Sequence, residues 1–144
     1  MSLAMIAEPA SAGGVSCVIS TTPLNFGRYV PSRNAPADFT ATLTLSCAAT
    51  GQETASIEGS IGLLGSARDR ALSDGPHRLR YQLFSDPARS IPWTDGAGAK
   101  AVSGLVGPST PLRASFTIYG RILARQRQVQ VGNYNDQITA VLNY

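Results

Sequence analysis

A serine, a carboxylate and the chain's only histidine stand together in Ser73-Asp74-Gly75-Pro76-His77, the residue types of a nucleophilic triad. A working triad gathers its members from separate elements and sets the nucleophile on a supported turn, and no nucleophile-elbow sequence is present. The stretch reads instead as a turn carrying an exposed histidine. Asp69, Asp74, Asp86, Asp95 and Asp136 could pair as the two carboxylates of a glycosidase do. All but Asp136 are followed closely by Gly, Pro or Arg in turn-like surroundings, where aspartate caps its own backbone. Asp136 is expected to fix the start of the last strand. Cys17, Cys47 and His77 cannot supply four zinc ligands in any usual spacing. The residues offer no catalytic, cofactor-binding or metal-ligating set, and the chain is read as a non-enzyme that needs no cofactor.

The two cysteines have a structural reading. Each lies in a strand-like run, Val15-Ser16-Cys17-Val18-Ile19 and Leu43-Thr44-Leu45-Ser46-Cys47. Alternation puts Val15, Cys17 and Ile19 on one face, and Leu43, Leu45 and Cys47 on one face. Two inward-facing cysteines on apolar strands favour a disulfide over two inert thiols. Closing a loop of about 30 residues stabilises by about 3–4 kcal/mol in the chain-entropy account. A disulfide also implies an oxidising compartment.

Composition narrows the remaining classes. A chain of 144 residues suits one domain, and 43% hydrophobic residues suit a globular one. Only 15% are charged, so the surface leans on Ser, Thr, Asn, Gln and Gly, as in extracellular or periplasmic structural proteins. The net charge of +3 is spread over scattered arginines, with Lys100 the single lysine. Arg121, Arg125 and Arg127 read as a solvated strand face, without the dense basic face and interleaved aromatics of a nucleic-acid site. No run approaches the roughly 20 apolar residues of a membrane helix. Met1-Ser2-Leu3 lacks a basic n-region and a long apolar h-region, so secretion would imply a leader already removed.

Short strands joined by turns must position whatever the chain uses. The expected strands are Val15–Thr21, Phe39–Cys47, Ala55–Gly62, Leu79–Phe84, Ala101–Val106, Leu112–Ile122, Gln128–Val131 and Gln137–Tyr144. Turn clusters such as Ser73-Asp74-Gly75-Pro76 and Asp95-Gly96-Ala97-Gly98 separate them. Leu63–Leu72 is the best helical candidate and amounts to a short turn. Residues 1–14 read as a flexible lead or a donor strand, and 15–144 as one β-sandwich domain. In the last strand Ile138, Ala140 and Leu142 share one face. A strand with a buried face needs neighbours on both sides, and the sequence after it offers none, so the cover is expected from elsewhere.

At this point the chain resembles the spore coat U domain family, which includes the Csu-type pilins of archaic chaperone–usher fimbriae. The resemblance opens at Cys17 and continues through Leu24-Asn25-Phe26-Gly27-Arg28-Tyr29, similar to the family's FG-x-Y element, to Cys47. Arg70-Ala71-Leu72 and Leu79-Arg80-Tyr81-Gln82-Leu83-Phe84-Ser85-Asp86 are similar to R-x-M … L-x-Y-x-L-Y-x-D. Trp93-Thr94-Asp95-Gly96 is similar to W-G-D-G. Ile118-Tyr119-Gly120-Arg121-Ile122, Gln126, Val129, Gly132-Asn133-Tyr134-Asn135-Asp136 and Tyr144 follow the closing YG-x-I … Q-x-V … G-x-Y-x-D … Y pattern. Thr94 replaces the usual Gly and Leu72 the frequent Met, both at packing or turn positions.

The resemblance implies an all-β fold, an incomplete immunoglobulin-like, pilin-type antiparallel β-sandwich completed by a donor strand. It implies a secreted fibre subunit that passes through the periplasm to the cell surface and supports adhesion and biofilm formation. Its partners would be a periplasmic chaperone, an usher and neighbouring pilus subunits, or a swapped copy of itself. The accepting groove would be lined by Ile138, Ala140, Leu142 and Tyr144. The donor candidate is Leu3-Ala4-Met5-Ile6-Ala7, short and weakly apolar. The alternatives are a tip adhesin that only accepts a strand and a coat or envelope matrix protein that never polymerises. Tyr81, Phe84, Phe116, Tyr119 and Tyr134 are expected in the core rather than on a sugar-binding face, with Trp93, in the loop Ile91-Pro92-Trp93-Thr94, the exception. Leu63, Leu64, Ile91 and Trp93 are the candidates for an adhesive loop patch.

Overall fold

The computed structural model describes residues 2–7, 10–12, 14–22, 24–25, 37–123, 126 and 134–143. The strands are β1 (Ser2–Ala7), β2 (Ala10–Ala12), β3 (Val15–Thr21), β4 (Leu24–Asn25), β5 (Ala37–Ala49), β6 (Ala55–Leu63), β7 (Ala71–Asp74), β8 (His77–Phe84), β9 (Lys100–Val106), β10 (Leu112–Ile122) and β11 (Asn135–Asn143). Among the described residues one 3-10 turn, Gly96–Gly98, interrupts them. Among the described residues no helix is long and apolar enough to cross a membrane. The Phe26–Tyr29 motif, the expected strand Gln128–Val131 and Tyr144 lie outside the described residues.

One layer runs β2-β3-β5-β10-β8, and the other runs β9-β6-β11-β1-β4. β8 joins them, because its first half pairs with β7 and its second half with β10. Alternation explains the core between the layers. Val15, Cys17 and Ile19 point inward from β3, Ala41, Leu43, Leu45 and Cys47 from β5, Ile57 and Ile61 from β6, and Ile118 and Ile122 from β10. The residues between them are exposed or half-buried, the mark of antiparallel strands with one face on the core. Tyr81, Phe84 and Tyr134 are buried and Phe116 and Tyr119 half-buried, as expected for core aromatics.

Cys17 and Cys47 are register partners on adjacent strands β3 and β5, with Cα atoms 4.1 Å apart, and form the expected disulfide. The close spacing is that of a non-hydrogen-bonded antiparallel pair. Gly120 on β10 faces Phe39 on β5, and the Phe39 ring lies where a Cβ on Gly120 would sit. Arg89 secures the same corner. It donates to the Gly120 and Phe39 carbonyls, and its guanidinium stacks 5.6 Å over the Tyr119 ring. Asp38 accepts two bonds from Arg121, at 2.7 and 3.1 Å, so the arginine read as a solvated strand face closes an ion pair.

Where β10 stops, a side chain continues the ladder. The Gln126 amide accepts from the Arg80 N–H at 2.7 Å and donates to the Arg80 carbonyl at 2.9 Å. It thereby occupies both backbone groups of Arg80, as a neighbouring strand would.

Four strands lie outside the expected set: β1, β2, β4 and β7. Residues 2–7 and 10–12 are strands, not only a flexible lead. The Leu63–Leu72 stretch divides into the end of β6, a turn and the start of β7, because Leu63 and Leu72 are both buried at positions that backbone pairing selects. The short β7 carries too few residues for a visible period.

The disulfide yields a direct expectation. Replacing Cys17 and Cys47 together by alanine lowers the unfolding free energy by about 3 kcal/mol, read as a drop in the urea midpoint. An unchanged midpoint would mean that β3–β5 pairing alone holds this layer.

Candidate strand-accepting site

β11 is the strand on which the second layer turns. Its sequence, Asn135-Asp136-Gln137-Ile138-Thr139-Ala140-Val141-Leu142-Asn143, alternates, and Ile138, Ala140 and Leu142 are buried as expected. One edge is held by residues that lie between the layer's outer strands. Ala140 to Asn143 pair antiparallel with Leu63 to Ser60 on β6. The Leu64 N–H donates to the Thr139 carbonyl at 2.9 Å, and Asn135 bridges to Ser73 on β7.

The opposite edge is where the sequence expected an open groove. β1 lies there instead, parallel to β11, in the register Ser2↔Asn135, Leu3↔Asp136, Ala4↔Gln137, Met5↔Ile138, Ile6↔Thr139 and Ala7↔Ala140. β4 pairs antiparallel with the far side of β1 through Ser2↔Asn25 and Leu3↔Leu24. The expectation that the cover must come from elsewhere is thus corrected. A six-residue strand before β2 reaches this edge, because chain crossing between layers is short at β1–β2. Among the described residues, the pairing of β1 runs as far as Ala140.

Buried polar groups anchor the supported edge. The Tyr81 hydroxyl donates to Asp136 Oδ2 at 2.5 Å, which fixes the start of β11 as the position of Asp136 led one to expect. Burial, and then the hydrogen bond to Asp136, push the Tyr81 phenol well above its ordinary range. Arg70 is buried too. Its guanidinium donates to the carbonyls of Leu64 at 3.0 Å, Leu63 at 3.4 Å and Trp93 at 3.1 Å. Burial lowers its pKa, opposed by its electrostatic interaction with the nearby Tyr81–Asp136 pair. Trp93 completes the grip by donating from Nε1 to the Ile61 carbonyl at 2.9 Å and packing edge-on against Phe116. Arg70 stood in the sequence only as a motif letter, and nothing in Arg68-Asp69-Arg70-Ala71-Leu72 set it apart from a surface arginine.

This geometry corrects the adhesive patch. Leu63 and Trp93 are fully buried, because both are needed to seal the end of β6. Leu64 and Ile91, 40% and 56% exposed, are the two members left at the surface. Asp86 does cap its turn. It accepts from the Ser90 hydroxyl and from the Ser90 and Ile91 amides, which hold its carboxyl below the usual range. Asp74 and His77 face one another as the pair flanking the Gly75-Pro76 hairpin turn. An open recess of about 200 Å³ lies between the residue 64–71 turn and β11, lined by Ser66, Asp69, Arg70, Arg78 and Asp136 among others. The described residues hold no group of metal-ligating side chains.

Replacing Arg70 by methionine leaves three carbonyls without their donor and is expected to cost about 3 kcal/mol in urea unfolding. Arg70→Lys should recover less than half of that, since one ammonium cannot reproduce a planar fork. Full recovery by lysine would show that charge alone matters here.

Comparison with known proteins adds three findings. The model of the Spore Coat Protein U domain matches residues 8–141. No curated protein sequence matches the chain. Among solved structures, a chain in the crystal structure of the CsuC–CsuE chaperone–tip adhesion subunit pre-assembly complex, from the archaic chaperone–usher Csu pili of Acinetobacter baumannii, is similar at TM-score 0.57 and 18% identity. The match covers 90% of this chain and 40% of that one, so this chain spans less than half of its solved relative. At this identity the likeness is one of fold: the pilin-type β-sandwich.

Proposed function

The chain belongs to the Spore Coat Protein U domain family, and from that premise we propose that it is a structural subunit of a secreted surface fibre of the chaperone–usher type. Assembly proceeds by strand addition at the free edge of β11. The observation that carries this reading is the pairing of β11 with a strand that lies ahead of the family-matched span, residues 2–7 against 8–141. The domain itself leaves that edge to be filled by something added to it. Backbone hydrogen bonds then supply affinity, and alternate apolar side chains supply fit. The groove is lined by Ile138, Ala140 and Leu142, with Tyr144 following. Contacts made head to tail by such strands do not close, so they build a filament.

The similar solved chain belongs to a complex of a chaperone with a tip adhesion subunit, which supports a periplasmic chaperone and other fibre subunits as partners. The disulfide and the low charge content fit passage through the periplasm to the cell surface, where adhesion and biofilm formation are the fibre's use. A second reading, a coat or envelope matrix protein complete in itself, is favoured by one observation: the strand on the β11 edge comes from the same chain.

Periplasmic co-expression with the chaperone encoded beside it separates the two. A fibre subunit elutes with that chaperone as a one-to-one complex in size exclusion with light scattering, and appears in sheared surface fibres. A chain that stays out of both would instead be a coat protein.

A further inference from the structure

We propose that Ser2–Ala7 is a resident cap, an exchangeable strand that holds the chain's own assembly edge closed until a longer strand displaces it. Placement comes first. β1 runs beside β11 over Asn135–Ala140 and carries β4 on its far side, so it fills the strand position between them. An occupied edge cannot template another strand, so the capped chain is protected from edge-to-edge association.

Two features make the cap displaceable rather than permanent. Its six residues, Ser2-Leu3-Ala4-Met5-Ile6-Ala7, include three small ones, so little apolar area holds it. Its pairing is parallel, the slightly weaker of the two ladder types.

The tether sets what can displace it. β1 and β2 are separated by residues 8 and 9, and β2 is fastened to β3 in the opposite layer through Ala10↔Cys17, Ser11↔Ser16 and Ala12↔Val15. A strand on so short a tether faces its edge at an effective concentration on the order of millimolar. A free strand of similar sequence at micromolar concentration loses that competition. A strand with more large alternating side chains, or one held in place by a chaperone, wins it. Displacement rests on the fibre reading above, but the cap itself does not.

Register-specific cysteines in the full chain test it. Ile6→Cys with Thr139→Cys joins a parallel register pair on the half-buried face of β11, whereas Ala4→Cys with Thr139→Cys would meet only if the strand ran antiparallel or slipped by two residues. In periplasmic protein at low concentration, non-reducing mass spectrometry should find the first pair closed within single chains and the second open. Closure between chains, or closure of the second pair alone, overturns the cap.

A second full-chain variant reads its consequence. In Met5→Pro/Ile6→Pro, one of the two prolines removes an N–H from the β11 ladder, because alternate residues of a strand bond opposite neighbours. We expect the melting temperature to fall by about 5 °C or more, the monomer to give way to oligomers, and chaperone binding to rise at least tenfold. An unchanged monomer with unchanged melting temperature overturns the cap. If the parallel pair closes and the proline variant is destabilised, yet neither form binds the chaperone, the cap stands and the fibre reading falls.

Discussion

The backbone of β11 must be paired on both edges, and the rest of the architecture follows from how that demand is met. Ile138, Ala140 and Leu142 hold one face of the strand in the core, so its N–H and C=O groups lie where water reaches them poorly. One edge is satisfied by the continuous run of β6, the Leu64 amide and β7. The other belongs to a strand from outside the domain that defines the family. A sandwich built in this way has a site wherever the second partner is supplied separately, and that site is a row of backbone groups above an apolar floor.

The supported edge is stiffened by polar groups that sit in the core, not by apolar contact alone. Arg70 gathers three carbonyls at the end of β6 and in the Trp93 loop, Trp93 takes the Ile61 carbonyl, and Tyr81 ties β8 to Asp136. These bonds join the turn after β6, the loop before β9 and the start of β11. They fix one edge of β11 rigidly while the other is held by a short parallel strand. The two edges of β11 are thus held in different ways, one by a network of buried polar groups and one by backbone pairing with a short strand. Gln126 serves the same end at β8, where its amide stands in for a missing strand neighbour at Arg80.

The disulfide lies in the opposite layer, between β3 and β5. It joins strands that are already hydrogen-bonded neighbours, so it fixes register within a sheet and does not clamp the two sheets together. The layer that carries β11 is therefore left without a covalent brace, and β2, paired to β3 beside the disulfide, anchors the N-terminal segment to the braced layer.

By itself the sequence determined the strands with a long alternating period. Val15–Thr21 and Leu112–Ile122 have their expected limits, β5, β6, β8, β9 and β11 shift by only a few residues, and the pairing of Cys17 with Cys47 follows from their faces. Period-two alternation is a local property, and burial of one face is enough to enforce it. The inward set Ile138, Ala140 and Leu142 was legible for the same reason. Only the tertiary structure decided the burial of Leu63 and Trp93, the role of Arg70 and the place of β7, because each depends on partners many residues away. It also decided that Ser2–Ala7 lies parallel to β11, since a short alternating stretch fits either edge direction in sequence and only the path from β1 through β2 to β3 selects one.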